Sequence, residues 1–167
     1  LFPDSAAEFA RYVKQAEHDW SQYLEDKKTA RRFVATLPGG ADRRLLVLDR
    51  PGSVSFNMWS RGDPEAGEGG YRLLLLRQKE DGAKIVLSSD PDRPDDLGFL
   101  QPGLSALERE RRGGAGFDWV LKYENTLLAA PTVGAGWGTA LLLDDVVGYL
   151  KKELSLRPFR PETGAKG

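Results

Sequence analysis

Side chains suited to covalent or metal chemistry are scarce in this chain, which holds one histidine, His18, and no cysteine among 167 residues. Without thiols there is no disulfide, zinc–thiolate site or thiol nucleophile to consider. His18 stands between Glu17 and Asp19 with no second imidazole to share a metal or complete a triad, and reads as an exposed helical residue. Carboxylates are plentiful, yet Asp63, Glu65, Glu68, Asp90, Asp92, Asp95 and Asp96 fall in segments that read as loops, where acids mostly cap turns and hold water. Nothing in their spacing selects a pair for hydrolysis. Gly134-Ala135-Gly136-Trp137-Gly138 lies between a strand and a helix, where backbone N–H groups can meet phosphate. Against a nucleotide loop, Thr139 replaces the third fingerprint glycine, no Gly-Lys-Ser/Thr follows, and too little chain remains for further βα units. The segment reads as a flexible approach to a helix. These features point away from an enzyme, and no cofactor or metal is expected.

A different chemistry is available to aromatic and cationic residues on the predicted strands. Alternation over 53–59 puts Val54, Phe56 and Met58 on one face and Ser53, Ser55, Asn57 and Trp59 on the other. Arg44, Arg72, Lys84 and Lys122 fall at polar positions of their own strands, near Trp59, Tyr71 and Tyr123. A sheet face of this kind suits single-stranded nucleic acid, with bases stacked on rings and phosphates held by Lys or Arg. Trp59 and Tyr123 are the expected stacking residues; Arg32, Arg44, Arg72, Lys84 and Lys122 are the expected phosphate contacts.

The elements that must position these residues follow from punctuation and periodicity. Ser5 and Glu8 form a capping box, and Phe9, Val13, Ala16, Trp20 and Leu24 recur at helical spacing, predicting a helix over 5–27 docked by that face. Phe33–Leu37 reads as a short strand. Arg44–Asp49 and Ser53–Trp59 read as a hairpin around Arg50-Pro51-Gly52. Tyr71–Gln78 and Lys84–Ser88 make a second around Glu80-Asp81-Gly82, and Phe117–Tyr123 with Thr126–Ala130 a third. Between them 89–103 reads as loop, and Ser105 with Glu108 is read as the cap of a short charged helix. Leu142, Leu143, Val146, Val147, Leu150 and Leu154 give the last helix an apolar stripe wide enough for a core and a partner subunit. The expected fold is α+β, one antiparallel sheet of six or seven strands with long N- and C-terminal helices packed on it. It forms a single domain over 1–156 with a frayed tail over 157–167.

From about Ala30 to Phe159 this order of elements resembles the Whirly family of single-stranded-DNA-binding proteins, related in fold to mitochondrial guide-RNA-binding proteins. The likeness rests on Ser53–Trp59, the acidic glycine-bearing loop, Tyr71–Gln78 and Lys84-Ile85-Val86-Leu87-Ser88 as long central hairpins. It rests also on Gly113–Ala130 as a glycine-led strand with an Asn-containing turn, and on the closing apolar helix. The family's Lys-Gly-Lys-Ala-Ala-Leu-Thr signature is matched at most by Arg32-Phe33-Val34-Ala35-Thr36, which lacks the glycine, so only Arg32 and Thr36 carry over. The helix at 5–27 has no counterpart there. The resemblance implies nucleic acid laid along strand edges between subunits, an oligomer formed through the last helix, and an organellar location.

Composition sets the bounds. Hydrophobic residues make up 40% and charged residues 29% of the chain, as in ordinary folded domains, and no apolar run is long enough to span a membrane. The chain is expected to be soluble. It begins at Leu1 and has Met58 as its only methionine, which suggests a processed or excised chain. A formal net charge of −1 supplies no global attraction for polyanions, so any anion site must be local. The same near-neutrality suits the competing expectation, a protein–protein module such as a chaperone, immunity protein or assembly factor. Its anchors would be Trp20, Tyr23 or the stripe of the last helix.

Overall fold

The computed structural model describes residues 2–67, 69–78, 84–114, 117–131 and 138–161, with side chains from Ser5 onward. The described residues form an α+β fold. In chain order they give helix α1 (Phe2–Lys27), strands β1 (Arg31–Thr36) and β2 (Asp42–Asp49), helix α2 (Phe56–Arg61), strands β3 (Leu73–Arg77) and β4 (Ile85–Ser89) and helix α3 (Gln101–Arg111). Strands β5 (Val120–Lys122) and β6 (Leu127–Ala129), helix α4 (Leu143–Glu153) and the two-residue strand β7 (Arg157–Pro158) follow. One-turn 3₁₀ helices occupy Pro64–Ala66 and Gly98–Leu100. No helix among the described residues is long and apolar enough to cross a membrane.

The strands make one seven-stranded sheet in the order β5-β6-β4-β3-β2-β1-β7. It is mostly antiparallel, with one exception: β2 and β3 run parallel, with Leu45 opposite Leu73 and Asp49 opposite Arg77. The expected hairpin after β2 is therefore absent. Residues 53–59 do not pair back onto β2; Phe56–Arg61 coil into α2, and the chain crosses one face of the sheet before re-entering as β3. A parallel return needs such a crossover of a dozen or more residues. Six residues hold too few periods to separate the alternation of Val54, Phe56 and Met58 from a helical turn in which Phe56 and Ser60 face the core.

Alternation sorts the strands onto two cores. On one face Phe33, Ala35, Leu45, Val47, Leu73, Leu75, Ile85, Leu87 and Leu128 pack against α3, α4 and Trp119. The other face is covered only in part. Leu46, Leu48, Leu74 and Leu76 lie under Tyr23 of α1, Phe56 of α2 and Ala66, while among the described residues no helix covers β4, β6 and β5 on that side.

The terminal elements differ from the sequence expectation. Helix α1 starts at Phe2, so Ser5 lies inside its first turn and does not cap it. Only its C-terminal part docks, through Asp19, Tyr23, Asp26 and Lys27; Phe9, Val13, Trp20 and Leu24 of the expected docking stripe are exposed, as is Tyr12 beside them. Helix α4 is short and is not terminal, because β7 follows it and pairs with β1. Arg157–Pro158 thus belong to the sheet, and Phe159 donates its N–H to the Arg32 carbonyl at 2.9 Å; only later positions of the expected tail fall outside the described residues. The α4 stripe, from Leu143 to Leu154, is buried in the chain's own core, and Leu142 at its start is exposed.

Helix α3 begins four residues before the expected cap, with Pro102 in its first turn, where a missing N–H costs nothing. Ser105 and Glu108 are mid-helix and buried, and their i,i+3 spacing places both on one face. There Ser105 Oγ accepts the Trp119 N–H at 2.9 Å. Glu108, with no exposed surface, pairs with Arg112 at 2.8 Å and accepts from Trp119 Nε1, Thr139 Oγ1 and the Ala140 N–H.

Candidate ligand cleft on the open half of the sheet

Because the helical layer stops at β3, the second face of the sheet forms the floor of an open cleft, with α2 as one wall. One part, of about 250 Å³, is lined by Leu76, Gln78, Lys84, Val86, Lys122, Leu127 and Ala129. The adjoining part, of about 690 Å³, is bounded by Met58, Arg61, Gly62, Ser89, the Asp90–Arg93 turn and Thr126. Asn57, Ser88, Tyr123 and Leu127 belong to both, so the two parts are one continuous depression along β4.

The expected site residues divide sharply. Lys84, Lys122 and Tyr123 come together on this cleft, and neither lysine has an ion-pair partner among the described residues. The other four are half-buried and engaged by other parts of the chain. Arg32 pairs with Glu65 at 2.7 Å and bonds the Ala30 and Lys27 carbonyls. Arg44 lies 4.4 Å from the centre of the Phe159 ring, a cation–π contact. Arg72 donates to the Arg93 carbonyl at 2.8 Å and lies 3.6 Å from Asp95. Trp59 is on α2, not on a strand; its Nε1–H donates to Asp19 at 2.9 Å and its ring meets Trp20 edge-on at 5.0 Å. Thr36, the other position carried over from the family signature, bonds Asp42. His18 is exposed, as its setting suggested, and the Gly134–Trp137 portion of the glycine-rich segment lies outside the described residues.

Tyr123 owes its position to an unusual turn. Tyr123, Glu124 and Asn125 all have positive φ, at 52°, 55° and 65°. For non-glycine residues the left-handed region costs about 1–2 kcal/mol each, so the surroundings must hold the turn in place. The Asn125 carbonyl accepts from the Leu97 N–H, the Thr126 carbonyl from the Ser89 N–H, and Thr126 returns both its N–H and its hydroxyl to the Tyr123 carbonyl. The result is a tyrosine ring 74% exposed at the lip of the cleft.

Several residues that shape the cleft were read as loop or strand and not as site. Arg61 is the chief one. Its Nη1 donates to the carbonyls of Tyr71 and Arg72 at 3.2 and 2.6 Å, and its Nη2 to Ser88 Oγ at 3.0 Å. Burial pushes its pKa down to about 10, against the pull of nearby Asp90. The Asp90 carboxylate is already engaged by Arg93 at 2.7 Å and by the Asp92 N–H, while Arg93 also reaches the Gly69 carbonyl. Gly70, at φ 66°, closes against this corner: a Cβ there would fall 2.2 Å from the Arg61 carbonyl oxygen, so a side chain would push α2 away.

The wall itself is fixed by carboxylates that the sequence suggests are solubilising. Asp19 accepts from Ser53 Oγ, from the N–H groups of Val54 and Ser55 and from Trp59 Nε1. Burial works to raise its pKa, and these hydrogen bonds outweigh it, leaving the net shift downward. Asp63, buried beneath α1, accepts from Tyr23 Oη at 2.5 Å and from Lys27 at 2.7 Å. Glu65 gathers Lys27, Arg32 and Tyr71 Oη, and its pKa falls to about 2 because those bonds overcome desolvation. Such acids reveal themselves only through tertiary partners; the sequence signal was their clustering between two aromatic segments.

Comparison with protein-family models, with curated proteins and with solved structures finds no match for this chain.

Proposed function

We propose that this chain is a non-enzymatic module that holds single-stranded DNA or RNA in the cleft on the open half of its sheet. The observation that carries the reading is the meeting of Tyr123, Lys84 and Lys122 on one continuous depression, with both lysines free of ion pairs among the described residues and the tyrosine exposed. An extended polyanion needs such an arrangement: an aromatic surface for a base, worth about 1–3 kcal/mol, and cations at intervals for phosphates. Asn57, Ser88 and Thr126 add polar groups without demanding one sequence. The likeness to the Whirly pattern favours the same ligand class, and an organellar location rests on that likeness alone. The family's signature positions are engaged elsewhere, Arg32 by Glu65 and Thr36 by Asp42 and Arg157, so in this reading the cleft replaces Arg32 and Thr36 as the contact surface.

The test is an anisotropy titration of labelled single-stranded DNA and RNA at several salt concentrations. Two phosphate contacts give a log–log salt slope of about −1.4. Absence of binding at low salt contradicts the reading.

A second reading, a protein-binding module, is favoured by α1. Phe9, Tyr12 and Val13 lie N-terminal to the docked Tyr23 on α1 and are exposed among the described residues. A partner with an apolar groove would receive such a helix. Of the other anchors considered from sequence, Tyr23 is fully buried, while Trp20 packs against Tyr23 and Trp59 and stays 36% exposed. Binding through α1 would respond little to salt and would be lost in a Phe9→Ser/Tyr12→Ser variant.

A further inference from the structure

Resting on the nucleic-acid reading, we infer that the Arg61 end of the cleft is a receptor for the terminal phosphate of the bound strand. The cleft is not the same at its two ends. From Lys84 to Asp90 the floor runs about 20 Å along β4, at roughly 3.3 Å per residue. At the Asp90 end it meets a wall: the Arg93 guanidinium ties the Asp90 turn to the Gly69 carbonyl, and α2 ends there at Arg61. A chain lying along β4 stops at this wall.

At the wall stands an arginine with unanswered charge. Arg61 has no carboxylate within ion-pairing distance among the described residues, since the nearest acid, Asp90, is engaged by Arg93. Its three hydrogen bonds go to two carbonyls and a hydroxyl, all neutral. A guanidinium has five N–H donors, so Nε and one Nη2 hydrogen are left for a ligand. A half-buried cation against neutral partners, in a corner lined by Met58 and Pro91, favours an anion more than an exposed lysine does. A terminal phosphomonoester carries close to two negative charges at neutral pH, where an internal diester carries one, and Arg matches phosphate with paired N–H donors. Among the described lining residues, Asp92, exposed at the rim, is the acid without an ion pair.

The experiment uses the full chain and three fluorescein-labelled oligothymidylates of equal length. One bears a 5′-phosphate with the label at its 3′ end, one a 3′-phosphate with the label at its 5′ end, and one hydroxyls at both ends. The expected result is that one phosphorylated end binds about tenfold or more tighter than the hydroxyl-ended strand. In Arg61→Gln the ratio between that phosphorylated strand and the hydroxyl-ended strand falls to about one, and Arg61→Lys keeps part of it. Equal binding of all three strands by the parent protein overturns the inference and leaves the nucleic-acid reading standing, as does a preference that survives in folded Arg61→Gln. Failure of every strand to bind overturns the nucleic-acid reading itself. The comparison within the parent protein decides the matter even if the Arg61 variants fold poorly.

Discussion

Asp19 of α1 and Trp59 of α2 are joined by a 2.9 Å hydrogen bond from the indole Nε1–H, and the same carboxylate caps the backbone of Val54 and Ser55. The tryptophan assigned from sequence to a stacking strand therefore clamps the helical wall of the cleft to the one docked end of α1. Asp19→Ala should cost about 2–3 kcal/mol through the lost charge-assisted bonds, seen as a lower urea midpoint. It should also shift tryptophan emission to the red as Trp20 and Trp59 gain water.

Acid should loosen the second anchor of that layer. Glu65 has its folded pKa lowered to about 2 from an ordinary 4.5. A depressed carboxylate stabilises fully above its unfolded value and loses that contribution as pH falls through the folded one. Stability measured by urea unfolding should thus decline from about pH 4.5 toward pH 2, and Glu65→Gln should flatten part of that decline.

Glu108 is the only carboxylate with no exposed surface among the buried polar residues described, and it binds α3 to Trp119, Thr139 and Ala140 while paired to Arg112. Glu108→Leu takes the counter-charge from Arg112, which keeps only the Gly138 carbonyl and the Phe117 ring among its described partners, and leaves three donors short of their acceptor; it should destabilise the protein by about 3–5 kcal/mol. Thermal and urea unfolding read this directly. Arg112→Leu should be similarly costly, and the double variant should be less so than the sum.

Leu150 tests whether the α4 stripe is core or subunit interface. It is fully buried between α4 and the sheet. Leu150→Ala should cost about 2–5 kcal/mol, and the unfolding midpoint of parent and variant should be independent of protein concentration. A midpoint that rises with concentration would indicate that α4 also supports an assembly.

The parts of the fold legible in the sequence were those carried by local rules. The β3–β4 pairing, the β5–β6 hairpin and the α+β class follow from alternation and turn residues, and α1 and α4 from apolar periodicity. What those rules do not reach is long-range. Alternation in Val54, Phe56 and Met58 does not reveal that β2 will pair with β3 in parallel, which forces the intervening segment to cross the sheet as a helix. Ser105 and Glu108 fit a capping box equally well as a buried polar pair. At the site, Lys84, Lys122 and Tyr123 were legible because each lies on or beside a correctly placed strand. Arg44 and Arg72 share their polar alternation, and Arg32 comes from the family signature, but Phe159, Asp95 and Glu65 arrive from elsewhere in the chain to engage them. Arg61 gave no signal, since its importance comes from the carbonyls of Tyr71 and Arg72 that bury it.

The most direct measurement of the central claim is the affinity of single-stranded DNA for a Lys84→Glu/Lys122→Glu variant and for Tyr123→Ala. A Lys151→Glu/Lys152→Glu variant on the exposed side of α4 serves as a control of equal charge change. The cleft reading expects the first variant to bind at least about tenfold more weakly, with the salt slope shallower by about 1.4, and Tyr123→Ala to lose about 1–3 kcal/mol without change of slope. The control should bind nearly as the parent does. Parent-like binding by the cleft variants, or an equal loss in the control, would show that the cleft is not where nucleic acid is held.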